Sequence, residues 1–297
     1  MNFEGRTAIV SGAGRGIGRS HALLLAELHA HVVVNDLGVD REGRGVDRVP
    51  AESVVAEIVA AGGSASANHS DVSSAEGAAE LVEGAVQMFG GIDILINNAG
   101  VLTGHDFPFT PVDDLRRNLD VHLVGAFELT RAAWPHLRMS DAGRVVMTSS
   151  SGLFGDLDLI AYGSAKAGVV GLAAGLAAVG ARDGVGVNTI APIANTRMSD
   201  PDPVFDSFTP RDVSAVVAYL AHSDCQLNGV TLAAGGGRVA RIAIGESAGH
   251  VQQDLTIEDV ADNIDTICDT GELFVPNDMA GYFRAFLGRV SDRKRLP

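Results

Sequence analysis

Short, almost uniformly apolar runs alternate along the chain with longer stretches whose apolar residues recur at helical spacing. The runs TAIVS (7–11), HVVVND (31–36), ASANH (65–69), DILIN (93–97), RVVMTS (144–149), VGVNTIA (185–191) and GVTLAA (229–234) read as strands. Between them, residues 16–28, 51–61, 73–89, 111–139, 162–180 and 211–221 read as helices. Strands that are apolar on both faces and separated by helices predict a parallel sheet covered on both sides. The pattern therefore predicts an α/β fold: a doubly wound parallel seven-stranded sheet.

Two stretches break the alternation. The segment LGVDREGRGVDRVP (37–50) is longer than the usual connection of about 2–6 residues, and loops of that size are often functional. From residue 236 the alternation stops, with strand-like RVARIAIGE, a helix predicted over 256–269 and a basic tail. Thr256 as N-cap, with Glu258 and Asp259 in the first turn, specifies that helix start. So short a segment rarely makes a core alone. Residues 1–235 are thus expected to form the main domain and 236–297 an extension packing on the same or a partner subunit.

Composition narrows the functional classes. The chain has 297 residues, 46% of them hydrophobic and 20% charged, which is enough apolar material for a sizeable core. A formal net charge of −15 argues against binding nucleic acid or an anionic membrane surface, both of which require a basic face. Cys225 and Cys268 form no C-x-x-C pair, so sulfur redox chemistry is not expected. No basic segment followed by a long apolar run opens the chain, and no S-K-L closes it, so the expected location is cytoplasmic. The histidines show no metal-ligand spacing, and no metal is expected.

The chemistry sits at strand ends. SGAGRGIG (11–18) ends the first strand and opens a helix, where Gly12, Gly16 and Gly18 permit a tight turn and close approach of a phosphate to unpaired helix amides. Its spacing is G-x-x-x-G-x-G, and its context points to a dinucleotide. Asp36 closes the second strand, where a carboxylate would accept both hydroxyls of the adenosine ribose and repel a 2′-phosphate. Arg15 pulls the other way, because a guanidinium pairs with phosphate. Asp36 is weighed more heavily, so NAD is expected over NADP.

Tyr162 and Lys166 lie four residues apart on a predicted helix and so share a face. A phenol is a poor base at neutral pH, but a nearby ammonium stabilises the phenolate. Thirteen residues before Tyr162, Ser149 ends the fifth strand, where open α/β sheets bind ligands. Its hydroxyl could hold a substrate oxygen during proton transfer. Ser150 and Ser151 are the alternatives, and the spacing favours Ser149.

Taken together, the glycine turn, NNAG (97–100), Ser149, Tyr162 and Lys166 resemble the short-chain dehydrogenase/reductase family over residues 5–235. The resemblance implies a Rossmann-type fold and reversible hydride transfer between a nicotinamide and an alcohol or ketone. Tyr162 would be the general acid/base, Lys166 its modulator and ribose anchor, and Ser149 the substrate-oxygen donor. Asp71 would meet the adenine, Asn98 would support the cofactor-side backbone, and Thr196 would reach the carboxamide. Ile17, Val72, Ala99, Gly100 and Pro192 would complete the cofactor's surroundings.

Two positions depart from the family pattern. His122 stands where the family usually has asparagine, with Asn118 one turn earlier, and Ile193 follows Pro192 where glycine is usual. His122 could relay protons to Lys166 through water or be a hydrogen-bonded helix residue. Within the family, VVVNDLG, VHLVGAFELTRAAWPHLR, GRVVMTSSSG and NTIAPIANTRM are similar to the (3R)-hydroxyacyl-CoA dehydrogenase part of peroxisomal multifunctional enzymes type 2. This likeness implies NAD-dependent oxidation of a 3-hydroxyacyl-CoA. It also implies a homodimer or homotetramer whose C-terminal segments help to complete the active site. The glycines Gly168, Gly171 and Gly175 would also permit close helix approach. Arg289, Arg293, Lys294 and Arg295 read as a solvated tail, or else as partners for CoA phosphates. Free hydroxysteroids or other secondary alcohols form a second substrate class, and a non-catalytic nucleotide sensor is a third reading.

Overall fold

The structure is a computed structural model that describes residues 1–198 and 203–292. The chain divides into two units, Met1–Arg241 and Ile242–Pro297.

In the first unit, β1 (Thr7–Ser11), β2 (His31–Asn35), β3 (Ser64–Asn68), β4 (Ile94–Asn97), β5 (Arg144–Thr148), β6 (Gly186–Pro192) and β7 (Thr231–Gly235) alternate with helices as the pattern predicted. The helices are α1 (Gly16–Glu27), α2 (Val49–Ala60), α3 (Ala75–Phe89), α4 (Val112–Leu119), α5 (Gly125–Leu137), α6 (Ile160–Asp183) and α7 (Pro210–Ala221). Pairing from β1 through β7 is parallel, with Ile9 opposite Val33 on one side and Leu95 on the other.

Adjacent strand residues point to opposite faces, and this divides the core in two. Ala8, Val10, Val32, Val34, Ile94 and Ile96 pack against α1, α2 and α7 through Leu25, Val54, Ile58 and Val217. Ile9, Val33, Leu95, Val145 and Met147 pack on the other face against Leu81, Leu129, Val169 and Ala173 of α3, α5 and α6. Helix α6 is long and apolar enough, by length and composition only, to cross a membrane. Here it is a layer helix that buries Ala161, Ala165, Val169, Ala173 and Ala177 in this unit.

The sheet has eight strands, one more than predicted, in the order β3-β2-β1-β4-β5-β6-β7-β8. The added strand β8 (Arg238–Ile242) is the alternating RVARI segment. Gly236 and Gly237, at φ 56° and 75°, make the two-residue turn that joins it to β7. Positive φ at both central positions suits a tight hairpin, which requires antiparallel strands. The strand order reverses between β1 and β4, so a crevice opens at their carboxyl ends, the place where such sheets bind ligands.

In the second unit, Thr256 caps α8 (Ile257–Asp262) with a reciprocal box: its hydroxyl accepts from Asp259 N–H, and Asp259 accepts from Thr256 N–H. The predicted single helix is interrupted at Asn263, after which α9 (Ile264–Ile267) follows. A helix not predicted, α10 (Met279–Asp292), ends the described chain. On it Arg289 donates to the Ser247 carbonyl at 2.8 Å and lies 3.5 Å from Glu246, so it is tied down within this unit. Arg293, Lys294 and Arg295 lie outside the described residues.

Candidate active site

A cleft of about 1030 Å³ opens at the carboxyl ends of the strands. Its lining includes Gly12, Arg15, Gly16, Ile17, Gly18, Asp36, Asp71, Val72, Asn98, Ala99, Gly100, His122, Ser149, Tyr162, Lys166, Pro192 and Thr196, so every predicted site residue borders it.

The glycine turn is held by a neighbour that the sequence analysis overlooked. Ser11 Oγ accepts from the N–H groups of Asn98 and Ala99 at 3.0 and 3.1 Å. Asn98 Nδ2 in turn donates to the carbonyls of Ser11 and Gly12 at 3.0 and 3.1 Å. Gly12 has φ 64°, and a Cβ there would meet Ala99 Cα at 2.7 Å, so only glycine fits. The turn leads into α1, whose N-cap Arg15 makes no side-chain capping bond. Helix amides left without a cap beside a cleft make an anion site, so these residues fit the pyrophosphate of a dinucleotide.

Asp36 is buried at the end of β2. Its two carboxylate oxygens accept from Gly14 N–H and Gly38 N–H, each at 2.7 Å. This fixes the carboxylate and leaves lone pairs for ribose hydroxyls. Asp71 Oδ1 accepts from the N–H and hydroxyl of Ser73 at 2.9 and 2.7 Å, which shapes the turn before α3. Thr196 Oγ1 accepts from Met198 N–H at 3.2 Å.

Deeper in the cleft, Lys166 is buried and its Nζ donates to the Thr148 carbonyl at 2.7 Å, 5.6 Å from the Tyr162 ring centroid. Burial lowers its pKa to about 7. Burial also raises Tyr162, while a side-chain hydrogen bond with Ser150 works the other way. In this state desolvation pushes both groups towards their neutral forms, so the stabilised phenolate expected from the sequence is not what burial alone produces.

The structure sets Ser149 apart from this pair. Its side chain is buried, and its hydroxyl donates to the Lys166 carbonyl at 2.8 Å. Ser150 is the hydroxyl that meets Tyr162. The reason is local: Ser150 has extended backbone (φ −165°, ψ 161°), so the two consecutive side chains point in opposite directions. Ser150 then caps a 3₁₀ turn by accepting from Gly152 N–H at 3.1 Å. Gly152 lies under Tyr162, where a Cβ would stand 3.2 Å from the ring.

His122 belongs to a five-residue π-helical turn, Asp120–Val124, between α4 and α5. Such bulges are often found at functional sites. Its ring lies edge-on to Tyr162, 5.3 Å between centroids at 84°. Nε2 lies 2.7 Å from the Val101 carbonyl and 3.2 Å from the Val101 N–H, and the shorter contact puts the proton on Nε2. Nδ1 is then a buried acceptor without a protein partner among the described residues. Burial, with the Lys166 charge, holds the imidazole well below its ordinary pKa, so it is neutral. A Cβ on Gly100 would overlap this ring. Asn118, also buried, donates instead to Thr103 Oγ1 at 2.7 Å.

With this geometry in place, the likenesses to known proteins are specific. A short chain dehydrogenase family profile matches residues 6–202. A short-chain type dehydrogenase/reductase of Mycobacterium tuberculosis is 42% identical over 263 residues, covering 87% of this chain and 92% of that protein. The peroxisomal multifunctional enzyme type 2 of Mus musculus is 39% identical over 277 residues, 91% of this chain, but the match spans only 37% of the mouse protein. The structure of full-length peroxisomal multifunctional enzyme type 2 from Drosophila melanogaster superposes with a TM-score of 0.83 at 33% identity, covering 98% of this chain and 50% of that one. The chain belongs to the short-chain dehydrogenase/reductase family.

Proposed function

We propose that the chain is an NAD-dependent dehydrogenase that oxidises a 3-hydroxyacyl-CoA to the 3-ketoacyl-CoA. The observation that carries the reading is the meeting, in one cleft, of Tyr162 with Ser150 beside it and Lys166 beneath it, next to the glycine turn and Asp36. The likeness to multifunctional enzymes along nearly the whole chain supports the acyl-CoA. NAD, when bound, supplies the hydride acceptor.

Each residue then has a role. The α1 amides and Gly12, Gly16 and Gly18 would hold the pyrophosphate, and Asp36 the adenosine ribose. Tyr162 takes the hydroxyl proton of the substrate. Ser150, rather than Ser149, donates to the substrate oxygen. Lys166, with its ammonium near the phenol ring, favours the phenolate whenever it is charged and can donate to a ribose hydroxyl. Ser149 holds the Lys166 backbone in place. For His122 we favour positioning over a relay, since its one N–H points at a carbonyl, which cannot accept the proton onward. Assembly as a homodimer is supported by α6, where Cβ atoms on Gly171 and Gly175 would meet open space.

Calorimetric titration with NAD and turnover of Tyr162→Phe test the site together. The variant is expected to bind NAD and lose most of its turnover, and near-full turnover contradicts the assignment of Tyr162.

A further inference from the structure

Cofactor choice in this cleft rests on opposing charges: Asp36 repels a 2′-phosphate, while Arg15 in the glycine turn would attract one. The structure shows what Arg15 does. Its Nη2 lies 3.4 Å from Asp47 Oδ2, and its Nη1 donates to the Val39 carbonyl at 3.3 Å. Both partners belong to the long segment after β2, which the fold alone does not require.

That segment is a closed excursion. Asp47 N–H donates to the Leu37 carbonyl at 3.1 Å, and Asp40 N–H to the Arg44 carbonyl at 2.9 Å. Gly38, at φ 78°, lies so close to the returning limb that a Cβ would overlap the Asp47 carbonyl oxygen. The far end is tied across the cleft, since Leu102 N–H donates to the Arg41 carbonyl at 2.8 Å and Arg117 to the Glu42 carbonyl at 3.1 Å. Compact loops with joined ends of this kind are frequently functional. Asp47 is itself fixed: its Oδ1 accepts from Val49 N–H at 3.0 Å, which leaves Oδ2 turned to Arg15.

We propose that Asp47 is a positioning residue for cofactor choice, engaging Arg15 so that its guanidinium is turned away from a 2′-phosphate beside Asp36. The proposal rests on the NAD reading above. Arg197 also donates to the Val39 carbonyl, at 3.2 Å, so it shares that acceptor with Arg15. Asp47 faces Arg15, while Asp36, Asp40 and Glu42 act on Arg197. A group that carries close to two negative charges gains little from guanidiniums that carboxylates already engage. Without the Asp47 charge, Arg15 keeps only the neutral Val39 carbonyl and can turn to such a group instead.

The test is calorimetric titration of NAD and NADP into the wild type, Asp47→Asn and Asp47→Ser, both of which retain an acceptor for Val49 N–H. The NADP-to-NAD affinity ratio is expected to rise about fivefold, the order of effect of one partly exposed charge. The gain should shrink with added salt and vanish when Arg15→Gln is combined with Asp47→Asn. A merely structural role would weaken both cofactors together and leave the ratio unmoved. If neither Asp47 variant folds, Arg15→Gln alone, which leaves the Asp47 charge uncompensated, is expected to lower the ratio. An NAD-preferring wild type whose ratio does not move in these variants overturns the role of Asp47. A wild type that prefers NADP overturns the cofactor reading itself.

Discussion

Lys166 donates its ammonium to the Thr148 carbonyl at 2.7 Å, while its backbone carbonyl accepts the Ser149 hydroxyl at 2.8 Å. The lysine is thus held at both ends by the carboxyl end of β5 and the residue that follows it, and burial lowers its pKa to about 7 from 10.5. Between those values the unfolded chain holds a proton that the folded chain gives up, so stability should rise as pH increases from about 7 to about 10. Urea unfolding across that range should show the rise in the protein without cofactor, and Lys166→Met should flatten it.

Ser149 and Ser150 make different predictions for turnover. Ser149→Ala removes one buried hydrogen bond and should cost about 1 kcal/mol of stability with turnover kept within a few-fold. Ser150→Ala loses its cap on Gly152 N–H, at a similar cost of about 1 kcal/mol, but should reduce turnover by about 100-fold, the scale of losing a group that acts on the reacting oxygen. Paired urea and steady-state measurements separate them, and a large loss of turnover in Ser149→Ala alone would reverse the assignment.

This pair also marks where sequence reasoning stops. The glycine turn, Asp36 and the Tyr162/Lys166 pair were legible because each is a local spacing next to an apolar run. The choice between adjacent serines depends on where β5 ends and on the extended backbone of Ser150, which decides the direction of each side chain. The Arg15 contact with Asp47 joins residues 32 apart and has no local signal. In the fold, β8 was read as alternation but not as part of the sheet, since its hairpin depends on two positive-φ glycines. Helix α10 was missed because Gly281 and Gly288 dilute its pattern, although Phe283, Phe286, Leu287 and Val290 keep helical spacing.

Gly100 has no room for a side chain, because the His122 ring occupies that space. Gly100→Ala should cost about 1–3 kcal/mol by overpacking. Because the displaced ring borders Tyr162, turnover should fall as well, and a variant with wild-type stability and turnover would show that the ring is not held there.

His21 is buried with its Nδ1 2.8 Å from Ser214 Oγ, and burial lowers its pKa to about 3 from 6.5. In that interval the unfolded chain takes up a proton that the folded chain refuses, so stability should fall as pH drops from 6.5 towards 3. His122 adds to the loss in the same direction. In His21→Asn, whose amide reaches the Nδ1 position, the slope of unfolding free energy against pH should be shallower. An unchanged slope would place the acid sensitivity elsewhere.

The most direct test of the central claim is the initial rate of NADH formation from NAD with 3-hydroxyacyl-CoAs, set beside the matching free hydroxy acids and hydroxysteroids. Rapid NADH formation is expected with the CoA esters, little with the free acids and steroids, and its loss in Tyr162→Phe. Turnover of free steroids or alcohols with none of any CoA ester, or NADH formed from no substrate at all, would contradict that claim.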